Sequence, residues 1–542
     1  MALKKAPHNN VELFYISNRL NSQFWHCLFL LFACQIHSSF LLRIDISYKC
    51  VTIKYVDIFL TISTATDMKE KIMDVTKYFN PKKVDEDMNT MNSFGIRLTG
   101  TDAQNEFCEW IKAQIIKLGL DVNVTPYTFK RWQCKDCSLV VDGKDVHVSS
   151  PFPYSGLTGE NGVSGKLVVV GNHPLGFQRA RGKIAVCHIK NLSKISSKIA
   201  FDKRKSLPSD LEIEKSYRGP VSTSFVKTLL TFWAAQLSGM KGMICIWEDM
   251  SDKMVEGQVL NFILHYLKVP MVWVNEKDGQ TVLEAAKAKK SATLKLTGTL
   301  EDANTQSFYT VIKGKKDTKE AIIINTHTDG CNFCEENGAI GLLRMMEYFK
   351  EHPTDRNLVF AFVTGHFRLP NFRTGTDQAT SRFLADNKQV WKGKKGGLKA
   401  VAGCAVEHLG CTEWKDVNGV YTQTNPIDVE IVYTGNRVVD DVYYEAIKER
   451  DIVRTMTLRG HNMLHFGEGQ PLFNKRIPEI ALVTAPDYLC SIAENHHMDK
   501  YNSALACEQI CTFIRCVELL DKKSAKELGK AQGYSIGLGK LK

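Results

Sequence analysis

The chain has 542 residues, of which 44% are hydrophobic and 24% charged, with a net charge of +11. That length and apolar share support about two to four packed domains and exclude a chain disordered by composition. The basic excess is spread over scattered lysines, with small clusters at 313–320 (KGKKDTKE) and 391–397 (WKGKKGG). No basic stripe interleaves with aromatics, so these are expected to be solvated loops and no nucleic-acid partner is expected.

The N-terminal region contains FWHCLFLLFACQI (24–36), preceded by Lys4, Lys5 and Arg19. It has the length of a signal h-region but is interrupted by His26, Gln35 and His37. Used as a leader or anchor, residues 24–42 imply a membrane contact and a secreted or membrane-anchored protein. A product starting at Met68 would be cytoplasmic. From Thr101, the stretch TDAQNEFCEWIKAQIIKLGLDV has a capping-box spacing, Thr101 to Gln104. Phe107, Trp110, Ile111, Ile115 and Leu118 follow at helical spacing, and Gly119 closes the helix. DVNVTPYTF then predicts a strand.

Residues 131–305 change character. Short β-like runs (KLVVVG, GKIAVCHI, KGMICIW, VPMVWV) alternate with turns and helical stretches, including FVKTLLTFWAAQLSG, which predicts a separate β-rich domain. The sixteen cysteines include two C-x-x-C pairs, Cys134/Cys137 and Cys331/Cys334. They lie about 200 residues apart, too far for the usual paired zinc-ribbon spacing. Two N-x-[ST] sequons, at Asn123 and Asn191, are near what chance gives in a chain this long.

From 306 onward strands and helices alternate: SFYTVIKG, EAIIINTH, the helix AIGLLRMMEYFKEH, NLVFAFVTG, VAGCAVEHLG, the helix DVYYEAIKER, PEIALVTAP, and the closing helix LACEQICTFIRCVELLDK. This alternation predicts an open, mostly parallel α/β sheet covered by helices. Ligands of such sheets bind at the carboxyl ends of the strands. Three of these strand ends carry chemistry-capable side chains: His327 and Asp329 with Glu335 and Glu336, then His366, then Glu407 and His408. Glu468, His496 and His497 flank the last strand. Imidazoles and carboxylates together are what a zinc site needs. Cys331 and Cys334 beside His327 suggest a thiolate or redox site, against the ordinary reading of two small buried hydrophobes.

These motifs, over about residues 85–520, resemble the zinc aminopeptidases and glutamate carboxypeptidase-like peptidases, a family with two co-catalytic zinc ions, in the branch with an inserted protease-associated domain. FGIRLTGTDAQ looks like the opening segment, where Arg-x-x-Gly precedes the first helix. The resemblance implies an N-terminal extension (1–67), a first part of the phosphorylase/hydrolase-like core (68–130), a protease-associated insert (131–305), the main α/β domain (306–525) and a basic tail (526–542). It places His327 on the first zinc ligand and Asp329 on the Asp that orients it. Glu336 falls on the bridging carboxylate and Glu407 on a terminal ligand.

The departures are specific. Where the family has a Glu-Glu pair, general base then ligand, this chain has His366 and Phe367. Tyr488 is followed by Leu489 rather than by a His ligand, and His496 and His497 come later. The implied metal set is His327, Asp329, Glu336, Glu407 and His497, holding one zinc ion, with His366 in the base position and Glu335 as a second catalytic group. The implied activity is an exopeptidase-type metallohydrolase acting on a peptide or small amide. The alternative is a catalytically inactive peptidase-fold protein that binds peptides or protein partners.

Overall fold

The computed structural model describes residues 81–171, 174–190, 202–211, 235–248, 250–259, 266–375, 377–394, 396–418, 420–462 and 464–532, all within the unit Asp74–Gly533. The apolar segment 24–42, the sequon at Asn191 and most of FVKTLLTFWAAQLSG lie outside the described residues. Among the described residues no helix is long and apolar enough to cross a membrane.

Two helices open the described chain, α1 (Pro81–Ser93) and α2 (Asp102–Lys117). Thr101 caps α2, its hydroxyl accepting from the Gln104 amide at 3.1 Å. The Gln104 side chain reaches one residue further back than in a capping box and accepts from the Gly100 amide at 2.7 Å. Gly119, with φ +71°, ends the helix where a residue with a Cβ would be strained.

Strand β1 (Asn123–Val141) leads to β2 (Lys144–Val146), β3 (Ser150–Pro151), β4 (Val163–Val170), β5 (Ile184–Lys190), β6 (Lys203–Leu207), β7 (Gly242–Glu248) and β8 (Met271–Asn275). Helix α3 (Glu276–Lys287) then precedes β9 (Ser291–Ile312). Next come β10 (Glu320–His327), α4 (Gly338–Glu351), β11 (Asn357–Val363), α5 (Thr380–Asp386) and β12 (Lys399–Ala405). After a hairpin of β13 (Glu413–Val417) and β14 (Val420–Asn425), the chain continues as β15 (Glu430–Thr434), α6 (Arg437–Ala446), β16 (Thr455–Arg459), α7 (Gln470–Asn474), β17 (Glu479–Leu482) and α8 (Ser503–Lys522).

The main sheet runs β3-β8-β7-β5-β4-β9-β11-β10-β12-β17-β15-β16-β6. Its centre is parallel, with β10 between β11 and β12 and β17 beyond β12. Strand β11 shows why the sheet is covered on both faces. Leu358, Phe360 and Phe362 join one buried cluster with Ile111 of α2, Ile340 of α4 and Ile514 of α8. Val359, Ala361 and Val363 join another, with Phe383 of α5 and Leu472 of α7. Period-two alternation in an all-apolar strand thus serves two helical layers.

Strands β1 and β9 form one long antiparallel ladder, Asn123 facing Tyr309 at one end and Val141 facing Ala292 at the other. The sequence boundaries near 131 and 305 fall inside this ladder. Between them, two apolar clusters are built from residues 139–294 alone. Strand β6, from the same block, instead pairs antiparallel with β16 at the opposite edge of the sheet.

Candidate metal centre

The parallel registers bring the carboxyl ends of three strands to one place. His327 closes β10 opposite Val363 of β11, and Asn325 lies opposite Ala405 of β12. Beyond β11 the chain turns at Gly365, φ +87°, where a Cβ would lie 2.1 Å from the Phe372 ring, so only glycine lets His366 turn back toward the strand end. Beyond β12 come Glu407 and His408. His408 adopts φ +57°, the left-handed region, a strained backbone of the kind that collects at functional sites.

The His327 and His366 rings stack with centroids 3.7 Å apart and an interplanar angle of 5°. His327 Nε2 lies 3.7 Å from Glu407 Oε2. Glu335, from the loop before α4, places Oε1 3.7 Å from His366 Nε2 and Oε2 3.9 Å from His408 Nε2. Two overlapping donor triads result, His327/His366/Glu407 and His327/Glu335/His408, with the donor atoms of each within 4.8 Å of one another.

Second neighbours fix the ring protons. His327 Nδ1 is 2.9 Å from the Asp329 carbonyl and His408 Nδ1 is against the Thr484 carbonyl. A carbonyl only accepts, so in both rings Nδ1 carries the proton and Nε2 keeps the lone pair. His366 Nδ1 is 2.6 Å from Glu468 Oε1, the carboxylate–histidine pairing seen behind metal-ligating imidazoles. Glu468 is itself held by the Thr380 amide at 2.7 Å, and its own amide donates to Glu407 Oε1 at 2.6 Å.

The donor set is thoroughly dry. His327, Glu335 and Glu407 are 0% exposed and His408 1%. His327 Nε2, His408 Nε2, Glu335 Oε1 and Glu407 Oε2 have no hydrogen-bond partner. Burial holds His327 well below the ordinary imidazole range, helped by the neighbouring His366, and pushes His366 and His408 down to about 3. Burial also raises Glu335 and Glu407 well above the carboxylate range, with Glu336 and Glu468 respectively adding to the effect. Four buried Lewis-base atoms facing one space without a donor are costly as they stand. A divalent cation would satisfy the atoms of one triad together, and nitrogen with carboxylate oxygen is a donor set that zinc accepts.

Other residues expected at the site do different things. Glu336 adjoins Glu335 but forms a fully buried ion pair with Arg97 and belongs to neither triad. Arg97 is the Arg of the Arg-x-x-Gly segment and also donates to the Asn332 carbonyl at 2.9 Å. Asp329 organises backbone: its Oδ2 accepts from Thr99 Oγ1 at 2.6 Å and from the Gly365 and His366 amides at 2.9 Å. Burial nevertheless raises it to about 7. His497 contacts the Ser491 hydroxyl at 2.8 Å and is likewise in neither triad. Phe367 is buried with Cys331, Phe333, Cys334 and Tyr488, and the two C-x-x-C cysteines there are part of that apolar cluster.

His408 and Glu468 are the contributors that the implied ligand set omits. His408 directly follows Glu407 and Glu468 sits in the glycine-flanked GEG turn, so each had a local signal. What chain order could not supply was that the turn before α7 folds onto the ends of β11 and β12.

The fold has counterparts among solved structures. A zinc aminopeptidase from Bacillus subtilis superposes with a TM-score of 0.56 at 16% identity, covering 83% of this chain and 98% of that one. The fold is that of the zinc aminopeptidases. An aminopeptidase from Aneurinibacillus sp. strain AM-1 gives 0.54 at 16% identity, with 82% and 94% covered. A peptidase M28 precursor from Shewanella amazonensis gives 0.56 at 13% identity, with 85% and 97% covered. No protein-family model and no curated protein matches the sequence. In this aminopeptidase fold the donor cluster occupies the carboxyl ends of the central parallel strands, where open α/β sheets hold their ligands.

Proposed function

We propose that the protein is a zinc-dependent hydrolase of peptide or small amide bonds, of exopeptidase type, with a single ion held by His327, Glu335 and His408. The observation that carries this is the set of unpartnered buried Lewis-base atoms converging from separate strand ends. The single-ion assignment follows from His327. Its Nδ1 is committed to the Asp329 carbonyl, so one lone pair remains, and the two triads that share it are alternatives for one ion. Of the two, His327/Glu335/His408 is preferred because each of its residues presents an unpartnered donor atom.

A zinc ion held there would supply Lewis-acid polarisation of the scissile carbonyl. His366 is then left to act as base. It occupies the position after β11 where the resemblance expects the general base, and burial keeps it neutral, with Nε2 able to accept a proton from the attacking water. Glu468 holds Nδ1–H and balances the charge that forms on the ring, which can then pass the proton to the leaving amine. Glu407 Oε2 adds a carboxylate facing His327 across the same space. The zinc aminopeptidase fold supports the exopeptidase choice, and the internal apolar clusters of 139–294 support treating 131–305 as an inserted domain.

One observation favours a second reading, a metal-binding peptidase-fold protein without turnover. Phe367, in the apolar cluster with Tyr488, stands where a ligand carboxylate is expected. The test is hydrolysis of a panel of aminoacyl amides and dipeptides by the full chain, before and after chelation and after zinc is restored. Chelator-sensitive release of a terminal residue, recovered with zinc, is the expected outcome. Stoichiometric zinc with no cleavage of any panel member would establish the second reading instead.

A further inference from the structure

Next to the residues Glu335 and His408 lies a close thiol pair. Cys334 and Cys411, 0% and 1% exposed, bring their sulfurs to 3.1 Å, one thiol donating to the other. They come from different parts of the chain, one from the segment that carries Glu335 and one from the segment that carries His408. Cys334 is joined directly to Glu335. Cys411 lies three residues after His408, and its thiol reaches the His408 carbonyl at 3.4 Å.

The surroundings hold the pair in place. Asn332 Oδ1 accepts from the Cys334 amide at 2.9 Å, while its Nδ2 donates to the Tyr488 and Leu489 carbonyls at 3.0 and 2.8 Å. Phe333, Phe367 and Tyr488 close the pocket with apolar surface.

We propose that Cys334 and Cys411 form a reversible disulfide that staples the loop carrying Glu335 to the turn carrying His408, with a peroxide as oxidant. One sulfur attacks a peroxide oxygen, giving up its proton as it does so. The O–O bond breaks, and a sulfenic acid and water form once protons are taken up. The second sulfur then displaces the sulfenic oxygen as a second water, the S–O bond breaking as the S–S bond forms. Two thiols lose two hydrogens and two electrons, and hydrogen peroxide takes them up to become two waters. Hydrogen peroxide is small and uncharged, which suits a pair enclosed by apolar side chains. Thiols already in contact need little displacement to bond, so the link leaves Glu335 and His408 near their present positions and restricts their motion. The consequence for metal retention rests on the zinc reading above; the link itself does not.

The experiment uses the full chain purified reduced, then treated with hydrogen peroxide or left untreated. Non-reducing peptide mapping by mass spectrometry should find the Cys334 and Cys411 peptides joined, with the loss of two hydrogens and reversal by dithiothreitol. Hydrogen exchange should slow in 331–337 and 408–412 on oxidation. Zinc release to a chelator should slow several-fold, and Cys334→Ser or Cys411→Ser should each abolish that difference. Pairing with other cysteines, overoxidation without a link, or a link with unchanged exchange would overturn the proposal. A chain that carries no zinc but forms the link and gains protection would refute the metal reading and leave the staple standing.

Discussion

Adjacent glutamates with opposite duties make a sharp test, because Glu335 faces the donor cluster and Glu336 faces Arg97. Arg97 is fully buried, and its guanidinium also meets the Gly95 and Asn332 carbonyls and Asn92 Oδ1. Burial raises Glu336 while the Arg97 charge pulls it down. Removing one partner of a buried ion pair costs about 3–5 kcal/mol, because the other charge is stranded. Glu336→Gln keeps an acceptor oxygen beside the guanidinium and recovers about 1 kcal/mol of that. The expected loss is therefore about 2–4 kcal/mol, read as a lower urea midpoint at unchanged slope, with zinc content retained. Arg97→Met with Glu336→Leu should regain only part of the loss, because it removes both charges but leaves the Gly95 and Asn332 carbonyls and Asn92 Oδ1 without their donor. Glu335→Gln should do the reverse, losing zinc with little cost to the metal-free protein. Zinc lost in Glu336→Gln with the midpoint unchanged would refute this division of labour.

Glu468→Gln weakens the carboxylate behind His366 and should lower kcat about 10–100-fold while zinc content holds, as substitutions behind catalytic imidazoles do; metal analysis beside steady-state kinetics checks it. Gly467→Ala adds a Cβ at φ +75° that would lie 2.7 Å from Glu407 Oε1. It should cost about 1–3 kcal/mol in urea unfolding, the scale of one strained backbone position. Asp428 gives a pH signature away from the site. Burial first, then the charge of Glu413, raises its carboxyl to about 7, well above the ordinary carboxylate range. The folded chain therefore binds the proton more tightly than the unfolded one. The stability this contributes is full below the unfolded value and is lost as pH rises through about 7. Asp428→Asn should match wild type near the acid end of that window and exceed it above the window, by urea midpoints across pH.

Much of the fold was legible because its strongest elements are periodic. The cap at Thr101, the stop at Gly119 and the all-apolar runs of β10 and β11 are local signals, and each corresponds to an observed element. Strands β15 and β16 were not legible. In β15, Glu430 is buried against Arg450 at the start of a five-residue strand, so its pattern lacks the clean apolar run of β11. The continuity of β1 and β9 across the expected domain boundary was hidden for another reason: composition changes along them while hydrogen bonding does not. At the site, His327, His366 and Glu407 could be read as strand-end residues. The split between Glu335 and Glu336 could not, because it depends on Arg97, more than two hundred positions away in the chain.

The most direct measurement is the zinc content of the full chain after dialysis against zinc-free buffer, with His408→Ala and His366→Ala measured alongside. One equivalent per chain in the wild type, lost in His408→Ala and kept in His366→Ala with hydrolysis abolished, is the predicted result. A wild-type chain that holds no zinc, or two equivalents, or that loses its zinc in His366→Ala while keeping it in His408→Ala, would contradict the assignment of the ion to His327, Glu335 and His408.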